Sequence, residues 1–353
     1  MRKIRKAGVW PVALVLMLVL SLMLFTSVGC GEEEKDDTTK DDKTTETTAK
    51  EGGMLYVASG QDDIAFSVID LETKTITENV KVEGAASPHG IIADTADTSV
   101  APDTSGRVAT EEPKIIYLGN TKNNGTVVKY DLSTNTVVKV IEPPATAKMQ
   151  ICSMQMGPDG NIYLTSMGDG KAYPLNPEDD TIGEGIGGGD ITKSICGIVW
   201  SRDGKYVYLS NMKNPDDENE AGYIAKLDAE TYELVMKIEG VTEAQPGKVV
   251  AHQMEMTPDG KYIYVADSGT GSLVKIDVAT DEVVDRIALG GGAKEVHSIV
   301  FAPDGKTAYL TVREVPDANS SSVFIYDVES DTVTGQIQGI PSSKICAVML
   351  VQA

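Results

Sequence analysis

The stretch Pro258-Asp259-Gly260-Lys261-Tyr262-Ile263-Tyr264-Val265-Ala266-Asp267, followed after a short gap by Ser272-Leu273-Val274-Lys275-Ile276-Asp277-Val278-Ala279-Thr280-Asp281-Glu282-Val283-Val284-Asp285-Arg286-Ile287, decides how the chain is read. Asp-Gly accepts the left-handed backbone of a tight hairpin, and β-branched and aromatic runs flank it. The same unit recurs along the chain. A Tyr sits in an apolar run at Tyr56, Tyr117, Tyr163, Tyr208, Tyr264 and Tyr309. The next strand closes on Asp70, Asp131, Asn176, Asp228, Asp277 and Asp327. Asp-Gly turns stand at Asp159-Gly160, Asp203-Gly204, Asp259-Gly260 and Asp304-Gly305.

Each unit provides four short strands, at a period of roughly fifty residues. No helical periodicity appears after residue 53. The reading is an all-β chain, a six-bladed β-propeller of four-stranded blades over 54–353. Its first blade starts at the Tyr strand and lacks an innermost strand, whereas the chain ends in Ile345-Cys346-Ala347-Val348-Met349-Leu350, which has the innermost pattern and no blade after it. The C-terminal strand is therefore expected to complete the first blade and close the ring, leaving no long open edge. Blade two carries an insertion at about 93–112, read as a surface loop.

On its Pro-Asp-Gly turn, its Tyr-Val strand and its V-x-V-x-D-x-x-T strand, the chain resembles the YVTN-type β-propeller repeat family. The resemblance spans 54–353. It implies the fold and leaves function open, because propellers host many activities.

The first thirty residues have another character. Residues 1–6 are basic, residues 7–25 carry no charge, and Thr26-Ser27-Val28-Gly29-Cys30 follows. This is an export pattern, and the apolar run is also long enough for an uncleaved anchor. Residues 1–29 resemble a bacterial lipoprotein signal peptide, although Ser27 stands where an aliphatic residue is usual. The resemblance implies lipidation of Cys30 and a protein anchored to the cell membrane on its extracytoplasmic side. Residues 31–53 are acidic and Thr-rich, with no large apolar side chain. With Cys30 they form a disordered acidic tether, extended by like charge.

A net charge of −22, from 31 Lys+Arg against 53 Asp+Glu, excludes nucleic-acid binding through a basic surface and adhesion to anionic lipid through a basic face. A monomer is expected.

The innermost strands place rare residues in register. They read Pro88-His89-Gly90, Ile151-Cys152-Ser153, Ile195-Cys196-Gly197, Ala251-His252-Gln253, Val296-His297-Ser298 and Ile345-Cys346-Ala347. Cys152, Cys196, His252 and His297 each lie seven residues before the Asp of the following Asp-Gly turn. The chain has three His and, besides Cys30, three Cys; all six occupy this position, one per blade. Scattered residues would almost never do so.

The strand starts surround the propeller axis, so the six side chains form a His3Cys3 ring at one mouth of the channel. Imidazole and thiolate suit copper first and zinc second, with an iron–sulfur centre as a further alternative, and they do not suit calcium or magnesium. A mononuclear site rarely takes more than four protein ligands, so six donors imply a partly used ring or more than one metal. Cys152 and Cys196 are neighbours in ring order, and a disulfide between them is the rival chemistry in an oxidising compartment.

Lys148, Lys193, Lys248, Lys294 and Lys344 precede the ring residue by two to four positions and suggest a cationic collar for a small anionic ligand. Met154, Met156, Met254, Met256 and Met349 on the same strands are read as core. The acidic loop 214–220 is read as solvated. Haem-attachment, nucleophile-elbow, P-loop and His-Glu-x-x-His signatures are missing. Whether the centre catalyses is left open. The competing function is an extracellular scaffold that binds a protein or glycan through its loops, without metal chemistry.

Overall fold

The computed structural model describes residues 52–61, 63–95, 106–212, 221–242, 251–313 and 321–352. The leader, Cys30, the tether, Lys248 and the acidic loop at 214–220 lie outside the described residues.

The fold is a six-bladed β-propeller without helices among the described residues. Blades two to six each run outward from an innermost strand: Pro88–Ala93, Ile151–Met156, Ile195–Trp200, Ala251–Met256 and Glu295–Phe301. The C-terminal strand Val348–Val351 pairs antiparallel with Met54–Ala58, with Val351 opposite Met54 and Val348 opposite Val57. The ring therefore closes as expected, by hydrogen bonds inside one sheet. Innermost strands are buried along almost their whole length, polar side chains such as Gln253 and Glu255 included. Outermost strands such as Thr75–Val80 are largely exposed.

Six apolar clusters hold the ring, one between each pair of neighbouring blades. Phe66 and Ile91 share one, and Ile92 and Leu164 the next. Trp200 joins the third, Tyr208 and Val265 the fourth, Leu310 the fifth, and Leu55 and Val300 the sixth. Each fully buried side chain of this kind contributes about 1.5–3 kcal/mol. Met154, Met156, Met254, Met256 and Met349 all belong to these clusters.

The Asp residues that close the third strands work as turn acceptors. Asp70, Asp131, Asp228, Asp277 and Asp327 take a backbone N–H three residues on. Each turn then needs a left-handed residue, found at Lys74, Asn135, Asp180, Tyr232, Asp281 and Asp331. Three of these Asp side chains reach back to the preceding blade: Lys129–Asp180, Lys226–Asp281 and Lys275–Asp331 pair at 2.7–3.0 Å.

The insertion at 93–112 is not simply a surface loop. Val108–Ala109 forms a short strand, wholly buried, that pairs parallel with Val348–Val351 and gives the first blade a fifth strand on the channel side. Arg107 just before it is 1% exposed. Its guanidinium donates to Glu255 Oε2 at 2.8 Å, Gln253 Oε1 at 2.7 Å, Ser298 Oγ at 2.9 Å and the carbonyl of Ile299 at 2.6 Å. The physical reason lies on the inner strands of blades five and six. Glu255 is buried there, and a buried carboxylate requires a paired cation.

Candidate metal centre

A backbone irregularity marks the ring position. Pairing of the first and second strands skips between Pro88 and Gly90, Ile195 and Ile198, Ala251 and Met254, and Val296 and Ser298. These are β-bulges at His89, Cys196, His252 and His297; a bulge re-aims a side chain and frees a carbonyl. Hydroxyls of the preceding blade satisfy two such carbonyls, and that of Cys346, at 2.6–2.7 Å. Thr165 donates to Cys196 O, Ser210 to His252 O and Thr311 to Cys346 O.

All six predicted ring residues converge, and they divide into two halves of three consecutive blades. His89, His297 and Cys346 come from blades two, six and one, and their ligand atoms lie within 4.8 Å of one another. Cys152, Cys196 and His252 come from blades three, four and five and meet the same limit. The halves touch where the rings of His252 and His297 stand 3.7 Å apart between centroids.

In the first half the nitrogens and the thiol differ in what they are given. Ser87 adopts a left-handed conformation (φ 55°) that turns its carbonyl back to accept from His89 Nδ1 at 3.1 Å. His297 Nδ1 is buried without a hydrogen-bond partner. Cys346 is a buried free thiol. It donates to the carbonyl of Lys344 at 3.2 Å and lies 2.7 Å from a guanidinium nitrogen of Arg313. Burial pushes the thiol up to about 11, while Arg313 pulls the other way. Burial, helped by the Arg313 charge, lowers His89 to about 4, His252 to about 3 and His297 well below the ordinary imidazole value. All three imidazoles are therefore neutral at neutral pH, the form that binds a metal. His89 is partly exposed and the other five ring residues are buried, so this half faces solvent through His89.

In the second half Cys152 and Cys196 form a disulfide, with Cα atoms 5.0 Å apart. The rival pairing noted from ring order is thus present, and in this state it takes two of the six donors out of the free set. His252 Nδ1 donates to the carbonyl of His297 at 2.8 Å, which leaves Nε2 without a proton and 3.7 Å from both sulfurs, the Cys196 sulfur also lying 3.4 Å from Nδ1. Met212 and Met167 pack on the pair.

Of the collar, Lys148, Lys294 and Lys344 are exposed and Lys193 is partly exposed. Lys344 acts electrostatically on His89 and Cys346. Lys193 Nζ lies 4.0 Å from Asp190. The cation that dominates the centre is Arg313, which sequence reasoning missed. Second strands in blades two, four and five end in Asn120, Asn211 and Asp267, whereas blade six runs one residue further into Arg313. That added cation was the available signal.

No family model and no curated protein matches the chain. Solved structures do resemble it. A chain of the nidogen–laminin complex aligns at a TM-score of 0.60 and 13% identity, covering 85% of this chain and 98% of that one. A protein of unknown function from Bacteroides caccae gives 0.60 and 13%, with 86% and 100% covered. The hydrazine synthase of Kuenenia stuttgartiensis gives 0.53 and 15%, with 80% and 85% covered. At these identities the likeness is one of fold. The class that fold and site define is a six-bladed β-propeller with a His/Cys cluster at its hub.

Proposed function

We propose that the protein is an exported, lipid-anchored metalloprotein whose propeller hub binds a transition metal, copper in preference to zinc, with a coordination position for a small anionic ligand. The observation that carries this reading is the convergence of six His and Cys side chains, one per blade, into two triads with side-chain N and S atoms within 4.8 Å, His89, His297 and Cys346 being free to bind.

His89, His297 and Cys346 offer two imidazoles and, once a metal displaces its proton, a thiolate, the donor set that copper favours in trigonal sites. Neutral imidazoles coordinate without releasing a proton, and a metal would take the place of the Cys346 proton. Arg313 offsets the thiolate charge. With Lys344 it gives an incoming anion two cations beside the partly exposed His89. The basic start, the uncharged run, Gly29-Cys30 and the acidic tether support export and lipidation, with the propeller held off the membrane.

Elemental analysis of protein purified without chelator tests the centre. At least one copper per chain is expected, and it should be lost from His297→Ala and from Cys346→Ser. Protein free of transition metal after both aerobic and anaerobic handling would sink the reading and leave a loop-binding scaffold. For the anchor, the protein should incorporate labelled fatty acid and the Cys30→Ala variant should not.

A further inference from the structure

We infer that Cys152, Cys196 and His252 form a second metal site that exists only when the disulfide between the two cysteines is reduced, and that it accepts a soft monovalent ion, Cu(I). The inference rests on the hub being a metal centre and adds how its capacity is regulated.

Four observations carry it. First, the disulfide is not needed to close the ring, because hydrogen bonds between Met54–Ala58 and Val348–Val351 do that. Blades three and four are already joined by the cluster containing Tyr163, Trp200 and Leu209. Second, His252 is buried and its Nδ1–H is committed to the His297 carbonyl. Its Nε2 carries the lone pair and lies 3.7 Å from the sulfurs of Cys152 and Cys196, the Cys196 sulfur also standing 3.4 Å from Nδ1. A disulfide sulfur carries no proton, so neither atom can donate to that nitrogen. A purely structural disulfide has no use for a buried imidazole packed against both its sulfurs. Two thiols, or a metal held by two thiolates, satisfy it.

Third, Met212 is fully buried with the two cysteines and Met167 packs against them. Thioethers beside thiolates favour Cu(I) over harder ions. Fourth, the two halves respond differently to redox state. Cys346 is the only free cysteine among the described residues, so His89, His297 and Cys346 stay available whether or not the other pair is oxidised.

The chemistry balances as follows. An extracytoplasmic dithiol gives two electrons and two protons to the Cys152–Cys196 bond. That bond breaks into two thiols, and the donor becomes a disulfide. Cu(I) then replaces the two thiol protons, which leave to solvent, and His252 Nε2 completes a three-donor site. The Arg313 charge, which reaches His252, offsets the resulting anion.

The test compares copper capacity in two redox states. Mature protein is isolated in air, or reduced with dithiothreitol and desalted under argon. Each sample is loaded with excess Cu(I), desalted again and analysed for copper. Thiols are counted in denaturant. The expected result is one thiol and one copper in the air-isolated sample, and three thiols and two coppers in the reduced one. Cys152→Ser/Cys196→Ser should hold one copper in both states. His252→Gln should weaken only the second copper, by at least tenfold, with an unchanged thiol count. Thermal unfolding of each variant checks that it folds.

One copper in both states of the wild type overturns the switch and leaves the proposed function standing. No copper in either state overturns both. Three thiols with two coppers in the air-isolated protein also overturns the switch.

Discussion

The hub has two polar layers, one to three residues apart along the same inner strands, and they are built on opposite terms. In the deeper layer every donor of Arg107 named above finds an acceptor on blades five and six, and the Glu255 carboxylate is paired. In the layer at the strand starts, His297 Nδ1 has no partner, His252 Nε2 faces atoms that cannot donate, and a free thiol lies buried beside a guanidinium. Satisfied buried polar networks rigidify a core, whereas unsatisfied ones carry a cost of about 1–3 kcal/mol per group. A folded protein keeps such a deficit where a ligand removes it. The comparison assigns stability to the Arg107 layer and chemistry to the His/Cys layer, and it can be broken experimentally.

The largest effect is expected in the deeper layer. Arg107→Met leaves Glu255 buried and unpaired and should cost about 3–5 kcal/mol in denaturant unfolding of metal-free protein. Copper content per folded chain should not change. Arg107→Met with Glu255→Met should recover most of the loss, because two apolar side chains replace the pair. A single variant that loses copper without losing stability would reverse the assignment of the two layers.

Next comes Arg313. It holds Cys346 and is a positioning residue for the thiolate, so Arg313→Met should weaken copper binding by about 10–100-fold at neutral pH. Arg313→Lys should recover part of this, and metal-free stability should move much less. Chelator competition measures the affinity.

A smaller effect on copper is expected at Gly60, which has a φ of 63° and where an added Cβ would press on the Lys344 carbonyl oxygen and sit 2.7 Å from Cys346 Sγ. Gly60→Ala should cost about 1–2 kcal/mol for the left-handed backbone and displace the thiol, seen as a shifted thiolate-to-metal absorption band.

The smallest effect lies at the rim. Burial alone would raise the Asp180 carboxyl, but the ammonium groups of Lys129 and Lys139 outweigh it and hold it below its usual value. A depressed carboxylate contributes stability that is full above its unfolded pKa of about 4 and is lost as pH falls through the lower folded value. Asp180→Asn should therefore cost under about 1 kcal/mol at pH 7 and nothing once the wild-type carboxylate is protonated. Acid titrations of the two proteins followed by unfolding check the sign. Copper content at pH 7 should be the same in both proteins.

Much of the site was legible because the repeat supplies its own alignment. Cys152, Cys196, His252 and His297 could be superposed by counting back from an Asp-Gly turn, and His89 and Cys346 by strand pattern. Their convergence followed from strand position alone. The division into two triads was not legible, because it depends on which way each bulge turns its side chain. The Arg107 insertion was misread as a surface loop for a similar reason. Val108-Ala109 is short enough to pass for loop, and its burial is decided by a channel that exists only once six blades enclose it. A trace was present in Glu255, a carboxylate on an inner strand that is buried along its whole length.

What the sequence determined by itself is the repeat, the blade count, the closing strand and the coincidence of every His and ring Cys on one position. Those follow from local rules: strand alternation, turn residues and period. Only the tertiary structure decided which donors became neighbours, that Cys152 and Cys196 are joined, that Arg313 faces Cys346 and that Arg107 fills the axis. Contacts between residues 33 to 148 positions apart are set by how blades pack around a closed ring, and no local pattern encodes them.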